Sequence, residues 1–207
     1  MLTTEHKQQL VVKAMKDEAF RAALLQDATA AAGTALQLTL PAAYRLRVLP
    51  ADPQHLYLVL PPYPADWPAG LSVEALLERL QQPTPGLEAA QQRVLDGQLL
   101  LIAKAWHDAA YKRALLQDPK AVVEREFGEE LPVEVALQVV AEDAQTQYLV
   151  LLPALDDLEL SDEQLEQVAG GEVGASTFLI LGTVLLGLAV VGGPISASVS
   201  YGLKQGW

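Results

Sequence analysis

The stretch Lys104-Ala105-Trp106-His107-Asp108-Ala109-Ala110-Tyr111-Lys112-Arg113-Ala114-Leu115-Leu116-Gln117-Asp118 decides the fold, because the chain contains it twice. Its apolar side chains, including Trp106 and Leu115, recur at helical spacing, which predicts one amphipathic helix. The helix is expected to stop at Asp118-Pro119, since a residue before proline disfavours helical geometry. Residues 13–27 are an earlier version of the same stretch, displaced by 91 positions. The sequence therefore indicates a tandem duplication.

The duplication continues beyond the helix without a gap. Leu40-Pro41 returns as Leu131-Pro132, and the Tyr-Leu-Val-Leu of residues 57–60 returns at 148–151. In both copies the pattern changes to short apolar runs rich in β-branched residues, which is typical of strands. The predicted strands are 44–49, 56–60, 131–140 and 147–152, with turns at 50–53 and 141–144. Each copy is expected to be a helix packed on its own small sheet, which predicts an α+β fold.

A second informative stretch lies at residues 160–171, Leu-Ser-Asp-Glu-Gln-Leu-Glu-Gln-Val-Ala-Gly-Gly. Ser161 is a good helix N-cap, and Gln164 three residues later completes a capping-box pattern. Leu165 and Val168 continue an apolar stripe, so we predict a short amphipathic helix that ends at Gly170-Gly171. Two glycines in a row can also enter a narrow peptidase groove, because they carry no side chains. A plain capped helix with a Gly-Gly turn is the alternative.

Together these motifs resemble the nitrile hydratase-related leaders of proteusin precursors, which are ribosomally made and post-translationally modified peptides. The resemblance covers residues 100–171 well and 8–80 as a diverged copy. It implies a double-glycine cut after Gly171, with Leu160, Leu165 and Val168 as the peptidase recognition residues. Nitrile hydratase holds its metal through cysteines, and this chain has none. The enzyme's chemistry and cofactor are therefore not expected, and the alternative is an α+β domain with an unrelated binding role.

The first copy contains a counterpart of this stretch at residues 71–82, displaced by 89 positions. Gln81-Gln82 stands where the second copy has Gly170-Gly171, and Arg79 stands in place of Val168. We therefore expect no cut after Gln82. The Pro-rich residues that follow Gln82 mark the boundary between the copies.

Charge and composition exclude several classes of function. The chain has 26 acidic and 14 basic residues, yet only Glu172 and Lys204 lie after Gly171. An acidic leader argues against binding nucleic acid, which favours basic surfaces. The absence of cysteine excludes disulfides and a cysteine nucleophile. The three histidines are far apart in sequence, and no basic region with an apolar core is found at the N-terminus, so an ordinary signal peptide is not expected.

The residues after Gly171 differ in composition from the rest of the chain, because they are mostly apolar and nearly uncharged. The run 178–191 is apolar apart from Gly182, Thr183 and Gly187, and with its neighbours it approaches the roughly 20 residues that span a bilayer. Ser200-Tyr201-Gly202 resembles the site at which radical enzymes excise part of a tyrosine in some precursors with this leader. Further candidates for modification are the hydroxyl side chains of Ser176, Thr177, Thr183, Ser196, Ser198 and Ser200, the backbone of the Val/Leu/Ala run, and the core lysine Lys204.

We therefore interpret the chain as a precursor and not as an enzyme. The expected segments are a diverged leader copy at 1–82, a linker and helix start at 83–98, a second leader copy at 99–158, the recognition helix at 159–171 and a hydrophobic core peptide at 172–207. Expected partners are modifying enzymes, a peptidase-containing ABC transporter and the membrane that the released core enters. The precursor is expected in the cytoplasm and the core outside the cell. The alternatives are a small binding domain with a C-terminal membrane anchor and a bacteriocin exported without modification.

The second copy keeps the stronger family pattern at Trp106, Tyr111 and Asp118-Pro119. Aromatic residues supply much of the energy of protein recognition. We therefore expect the leader to fold by itself and to bind the modifying enzyme mainly through this copy, so that modification persists when residues 1–90 are removed.

Overall fold

The computed structural model describes residues 1–52, 54–81 and 89–151. Within them lie seven α-helices and four β-strands. The helices are α1 (Thr4–Lys16), α2 (Glu18–Gln26), α3 (Ala28–Leu36), α4 (Val73–Leu80), α5 (Ala89–His107), α6 (Ala109–Gln117) and α7 (Pro119–Phe127). The strands are β1 (Arg45–Pro50), β2 (His55–Leu60), β3 (Ala136–Ala141) and β4 (Thr146–Leu151). The mixture of helices and small sheets confirms the predicted α+β class.

Aspartates divide the helices at the same places in both copies. Asp108 separates α5 from α6, and its carboxylate accepts a hydrogen bond from the Ala110 N–H at 2.7 Å. Its backbone is extended (φ −125°, ψ 114°), so the helix is interrupted there. The single helix predicted over 104–118 is therefore wrong, because a side chain that caps a new helix competes with continuation of the old one. The predicted stop at Asp118-Pro119 is confirmed, since α6 ends at Gln117 and Pro119 opens α7.

The duplication is reproduced in the structure residue by residue. Displacement by 91 positions carries the bounds of α2, α3, β1 and β2 onto those of α6, α7, β3 and β4. The C-terminal residues of α1 and α5, Lys16 and His107, are separated by the same interval. The helix α4 has its sequence counterpart at 162–169, which lies outside the described residues.

The sheets differ from the expectation that each copy builds its own. β1 pairs in parallel with β4, and β2 pairs in parallel with β3, so each two-stranded sheet takes one strand from each copy. Only four residues separate β1 from β2, whereas neighbouring parallel strands need a much longer crossover. Parallel pairing within a copy is therefore excluded by length, and the observed partners come from the other copy.

Two hydrophobic cores result, one beneath the helices of each copy. The first core joins Leu10 and Leu24 of the first copy to Leu149 and Leu151 of β4. The second core joins Ile102 and Leu115 of the second copy to Leu58 and Leu60 of β2. These side chains are at most 5% exposed, so each core depends on a strand that the other copy supplies.

Candidate functional site

The structure places a capped helix where the first copy has its counterpart of residues 160–171. Ser72 is the N-cap of α4, and its hydroxyl accepts a hydrogen bond from the Ala75 N–H at 3.3 Å. Leu76 and Leu80 point into the second core and are 1% and 8% exposed. Leu71-Ser72 thus starts an amphipathic helix, although the first copy has Gln81-Gln82 where the second has two glycines.

A cluster of three aromatic rings, Tyr63, Trp67 and Trp106, holds the segment before α4 against α5. Their ring centroids lie 5.5 to 6.4 Å apart in edge-to-face arrangements. The Trp106 indole N–H donates to the Pro61 carbonyl at 2.8 Å, and the Tyr63 hydroxyl donates to the Pro68 carbonyl. All three rings are half-buried. Trp106, which the sequence singles out for binding an enzyme, therefore has internal partners on its ring and on its polar tip.

Arg79 and His107 complete the attachment of this segment. The Arg79 guanidinium lies 5.5 Å from the centre of the Trp67 ring, within the range of a cation–π contact. His107 Nδ1 lies 3.0 Å from the Leu71 carbonyl oxygen. Arg79 stands where the other copy has Val168, and its guanidinium makes the contact with Trp67.

Tyr111 and Lys104 meet on the carboxylate of Glu126. Lys104 forms an ion pair with Glu126 Oε1, and the Tyr111 hydroxyl donates to Glu126 Oε2 at 3.3 Å. Burial raises the pKa of Tyr111, and the Glu126 charge raises it further. Asp118 accepts a hydrogen bond from the Ala121 N–H at the start of α7. The residues that carry the family pattern therefore fix α5, α6 and α7 to one another.

A buried polar network joins the N-terminus to the second copy. Lys7 Nζ lies 2.5 Å from Glu142 Oε1, and both side chains are 6% exposed. Gln147 Oε1 accepts from the Leu2 N–H at 2.9 Å and from the Tyr44 hydroxyl at 2.7 Å. Burial raises the pKa of Tyr44 to about 12, and the Glu142 charge adds to the rise. This network is a cross-copy contact between groups that are costly to bury unpaired.

Sequence reasoning missed this network and most of the aromatic cluster. At the 91-residue interval, Tyr63 corresponds to Ala154 and Trp67 corresponds to Leu158. The sequence signal for the cluster was therefore that these two aromatic residues occur in one copy only. Lys7 and Glu142 correspond to Gln98 and Ala51, and their charges also break the symmetry of the repeat. A comparison of the copies position by position would have selected all four.

The histidines are dispersed in the structure. His6 completes the capping box of α1, His55 contacts Asp52, and His107 lies beside the Leu71 carbonyl. Among residues 1–52, 54–81 and 89–151, no group of three or more His, Cys, Asp or Glu side chains could hold a metal ion.

The residues expected to be cut, recognised or modified lie outside the described residues. These are Leu160, Leu165, Val168, Gly170, Gly171, Ser196, Ser198, Ser200, Tyr201, Gly202 and Lys204. The domain bounds predicted after residue 151 lie there as well. In the part of the chain that is described, no helix has both the length and the apolar character needed to cross a bilayer.

Comparison with known sequences gives one informative relative. The chain is 32% identical over 98 residues to polytheonamide B of Bacterium symbiont subsp. Theonella swinhoei (strain pTSMAC1), a match that covers 43% of this chain and 68% of the relative. No family model matches the chain.

Among solved structures, the chain is similar to a double mutant of Fe-type nitrile hydratase from Comamonas testosteroni Ni1. The identity is 20%, with 80% of this chain and 68% of the enzyme chain covered, at a TM-score of 0.45. A recombinant thiocyanate hydrolase with partially modified cobalt centres gives 20% identity, 88% and 73% coverage and a TM-score of 0.46.

Proposed function

The chain belongs to the family of polytheonamide B, the proteusin precursors with a nitrile hydratase-related leader, and we propose that this leader presents residues 172–207 for modification and release. It is a precursor of a ribosomally made, post-translationally modified peptide. The observation that carries this assignment is the 32% identity with polytheonamide B over 68% of that relative's length. Modifying enzymes are therefore its partners, and its role is that of their substrate and not of a catalyst. Ribosomal synthesis places the precursor in the cytoplasm.

We propose that the folded part of the leader recruits the modifying enzymes and that residues 172–207 receive the modification. The pattern residues Trp106, Tyr111 and Asp118 hold the second copy in shape through the contacts described above. Their substitution would then reduce modification by loosening α5–α7, and not only by removing a side chain that an enzyme touches. Any of Ser196, Ser198, Ser200, Tyr201-Gly202 and Lys204 can receive the modification.

Release is proposed to follow a single cut after Gly171 by a peptidase-containing ABC transporter. The capped helix α4 supports this, because it shows that the repeated Leu-Ser motif starts an amphipathic helix in this chain. Leu160, Leu165 and Val168 would present the apolar stripe, and Gly170-Gly171 would enter the groove without side chains. The freed core, with Glu172 and Lys204 near its ends and an apolar run between them, would then enter a membrane.

The test is processing of Gly171→Val by the cognate transporter. We expect no cut, because the β-branched side chain of valine would clash with the walls of the narrow peptidase groove. The chain offers a matched control in its other Gly-Gly pair, Gly192-Gly193. Gly193→Val should be cut after Gly171 as the unsubstituted precursor is. Normal processing of Gly171→Val, or a cut after Gln82, would contradict the proposed site.

A further inference from the structure

The two sheets are related by the same displacement as the two copies. Arg45 of β1 pairs with Thr146 of β4, and His55 of β2 pairs with Ala136 of β3. Ala136 lies 91 positions after Arg45, and His55 lies 91 positions before Thr146, so the repeat interval converts the first pair into the second. The structure therefore has a pseudo-two-fold relation in which each copy gives one strand and receives one.

The hydrogen bonds at the ends of the sheets obey the same relation. The Arg45 N–H donates to the Gln145 carbonyl at 2.7 Å, and the Ala136 N–H donates to the Gln54 carbonyl at 2.7 Å. At the other ends, the Ala51 N–H donates to Leu151 and the Glu142 N–H to Leu60, both at 2.9 Å. Equivalent geometry at all four ends shows that the two exchanges are built by the same residue positions.

In the structure each copy completes its sheets with strands of the other. Among the described residues, no strand pairs with a strand of its own copy. An isolated strand leaves a row of backbone N–H and C=O groups unpaired. It would also expose Leu149 and Leu151 on β4, or Leu58 and Leu60 on β2, which are now at most 5% exposed. Each copy thus presents a surface whose complement is a second copy of itself.

We propose that the repeat is a self-complementary association module, and that its partner is another copy of the repeat. The exchanged strands, and not the peptide chain between residues 81 and 89, hold the two copies together. A cut between the copies then leaves one particle of two fragments. It also follows that removing residues 1–90 takes away the partners of β3 and β4, so the remaining copy must pair with a second chain to complete its sheets.

The experiment uses the full-length chain with a site for a specific protease placed within residues 82–88. After cutting, native mass spectrometry and size-exclusion chromatography at micromolar concentration should show one particle that contains both fragments in a 1:1 ratio. Denaturant should separate them. Two fragments that separate in native buffer would overturn the proposal.

A proline substitution tests whether the strands carry the association. The N–H groups of Ala136 and Glu142 donate to the carbonyls of Gln54 and Leu60. Val140 lies in β3 an even number of residues from both, and parallel strands donate at every second residue, so Val140→Pro removes a donor to the ladder. Val133 is 95% exposed and lies in the turn before β3, which makes Val133→Pro a matched control. After cutting, the Val140→Pro fragments should separate at a lower urea concentration than the Val133→Pro fragments, because the β1–β4 sheet stays paired in both. The uncut Val140→Pro chain should keep its helical circular dichroism, which distinguishes lost association from unfolding. Equal behaviour of the two cut variants would contradict the role of the strands.

Discussion

Replacing Lys7 by methionine removes one partner of the ion pair that joins α1 to the residue after β3. Lys7 Nζ and Glu142 Oε1 lie 2.5 Å apart, and both side chains are 6% exposed. Methionine keeps an unbranched apolar chain in the same space, so the change acts mainly on charge. Glu142 retains the hydrogen bond from the Tyr148 N–H at 2.9 Å but loses its cation.

The expected loss of stability follows from burial. Removing one partner of a buried ion pair costs about 3–5 kcal/mol, because the other charge stays buried without compensation. For a folded region of this size each kcal/mol lowers the melting temperature by about 2–4 °C, so Lys7→Met should melt about 6–20 °C lower. Replacing Glu142 by methionine as well should recover part of that loss, since an apolar pair avoids the cost of burying charge.

The assay is urea unfolding of the full chain followed by tryptophan fluorescence, to which Trp67 and Trp106 contribute. Lys104→Met is the matched control, since Lys104 also pairs with a glutamate but its side chain is 34% exposed. Solvent reaches that pair from the lysine side and screens it in part, so its loss should cost less than the loss of the Lys7–Glu142 pair. Equal destabilisation by Lys7→Met and Lys104→Met would refute the reasoning from burial.

Three further outcomes are expected. Leu115→Ala should lower the free energy of unfolding by about 2–5 kcal/mol and the neighbouring Leu116→Ala by about 0.5 kcal/mol or less, because Leu115 is 0% and Leu116 37% exposed; equal losses would contradict the packing. The pKa of Tyr44 is about 12 in the folded chain against 10.0 as its ordinary value, so its contribution to stability is present below pH 10 and lost as the pH rises towards 12; a pH series of unfolding should show a smaller alkaline loss in Tyr44→Phe. Leu185→Asp in the matured core should cost about 2.5–3.5 kcal/mol on membrane insertion and reduce dye release from lipid vesicles roughly a hundredfold, and equal leakage would exclude the membrane as the site of action.

Local features of the fold could be predicted because short-range rules decide them. Three of the four strand positions, the stop at Asp118-Pro119 and the capped helix after Ser72 follow from residue types within a few positions. The strand predicted from residue 131 is wrong at its start, because a turn in which the Val135 N–H donates to the Pro132 carbonyl delays β3 to Ala136. The break at Asp108 could not be predicted from helical spacing, because the apolar stripe continues across it and only the capping geometry ends the helix.

The exchange of strands could not be predicted from the same rules. Strand pairing is a long-range property, and a repeat permits pairing within a copy or between copies with the same local sequence. The short connection between β1 and β2 prevents only their parallel pairing and is long enough for an antiparallel hairpin, so the local sequence does not decide between the two arrangements. The contacts Lys7–Glu142 and Trp67–Trp106 join the two copies, so they could not be predicted before the pairing of the strands was known.

Intact mass spectrometry of the secreted product, after expression of the precursor with its modifying enzymes and transporter, decides whether the chain divides into a leader and a core. We expect one peptide that begins at Glu172 and contains the 36 residues after Gly171, with a mass that differs from the unmodified value by the modification. Tandem mass spectrometry should place that difference within residues 172–207. A product that begins elsewhere, or a full-length chain that stays with the cell and is never cut, would contradict the assignment of a leader and a core.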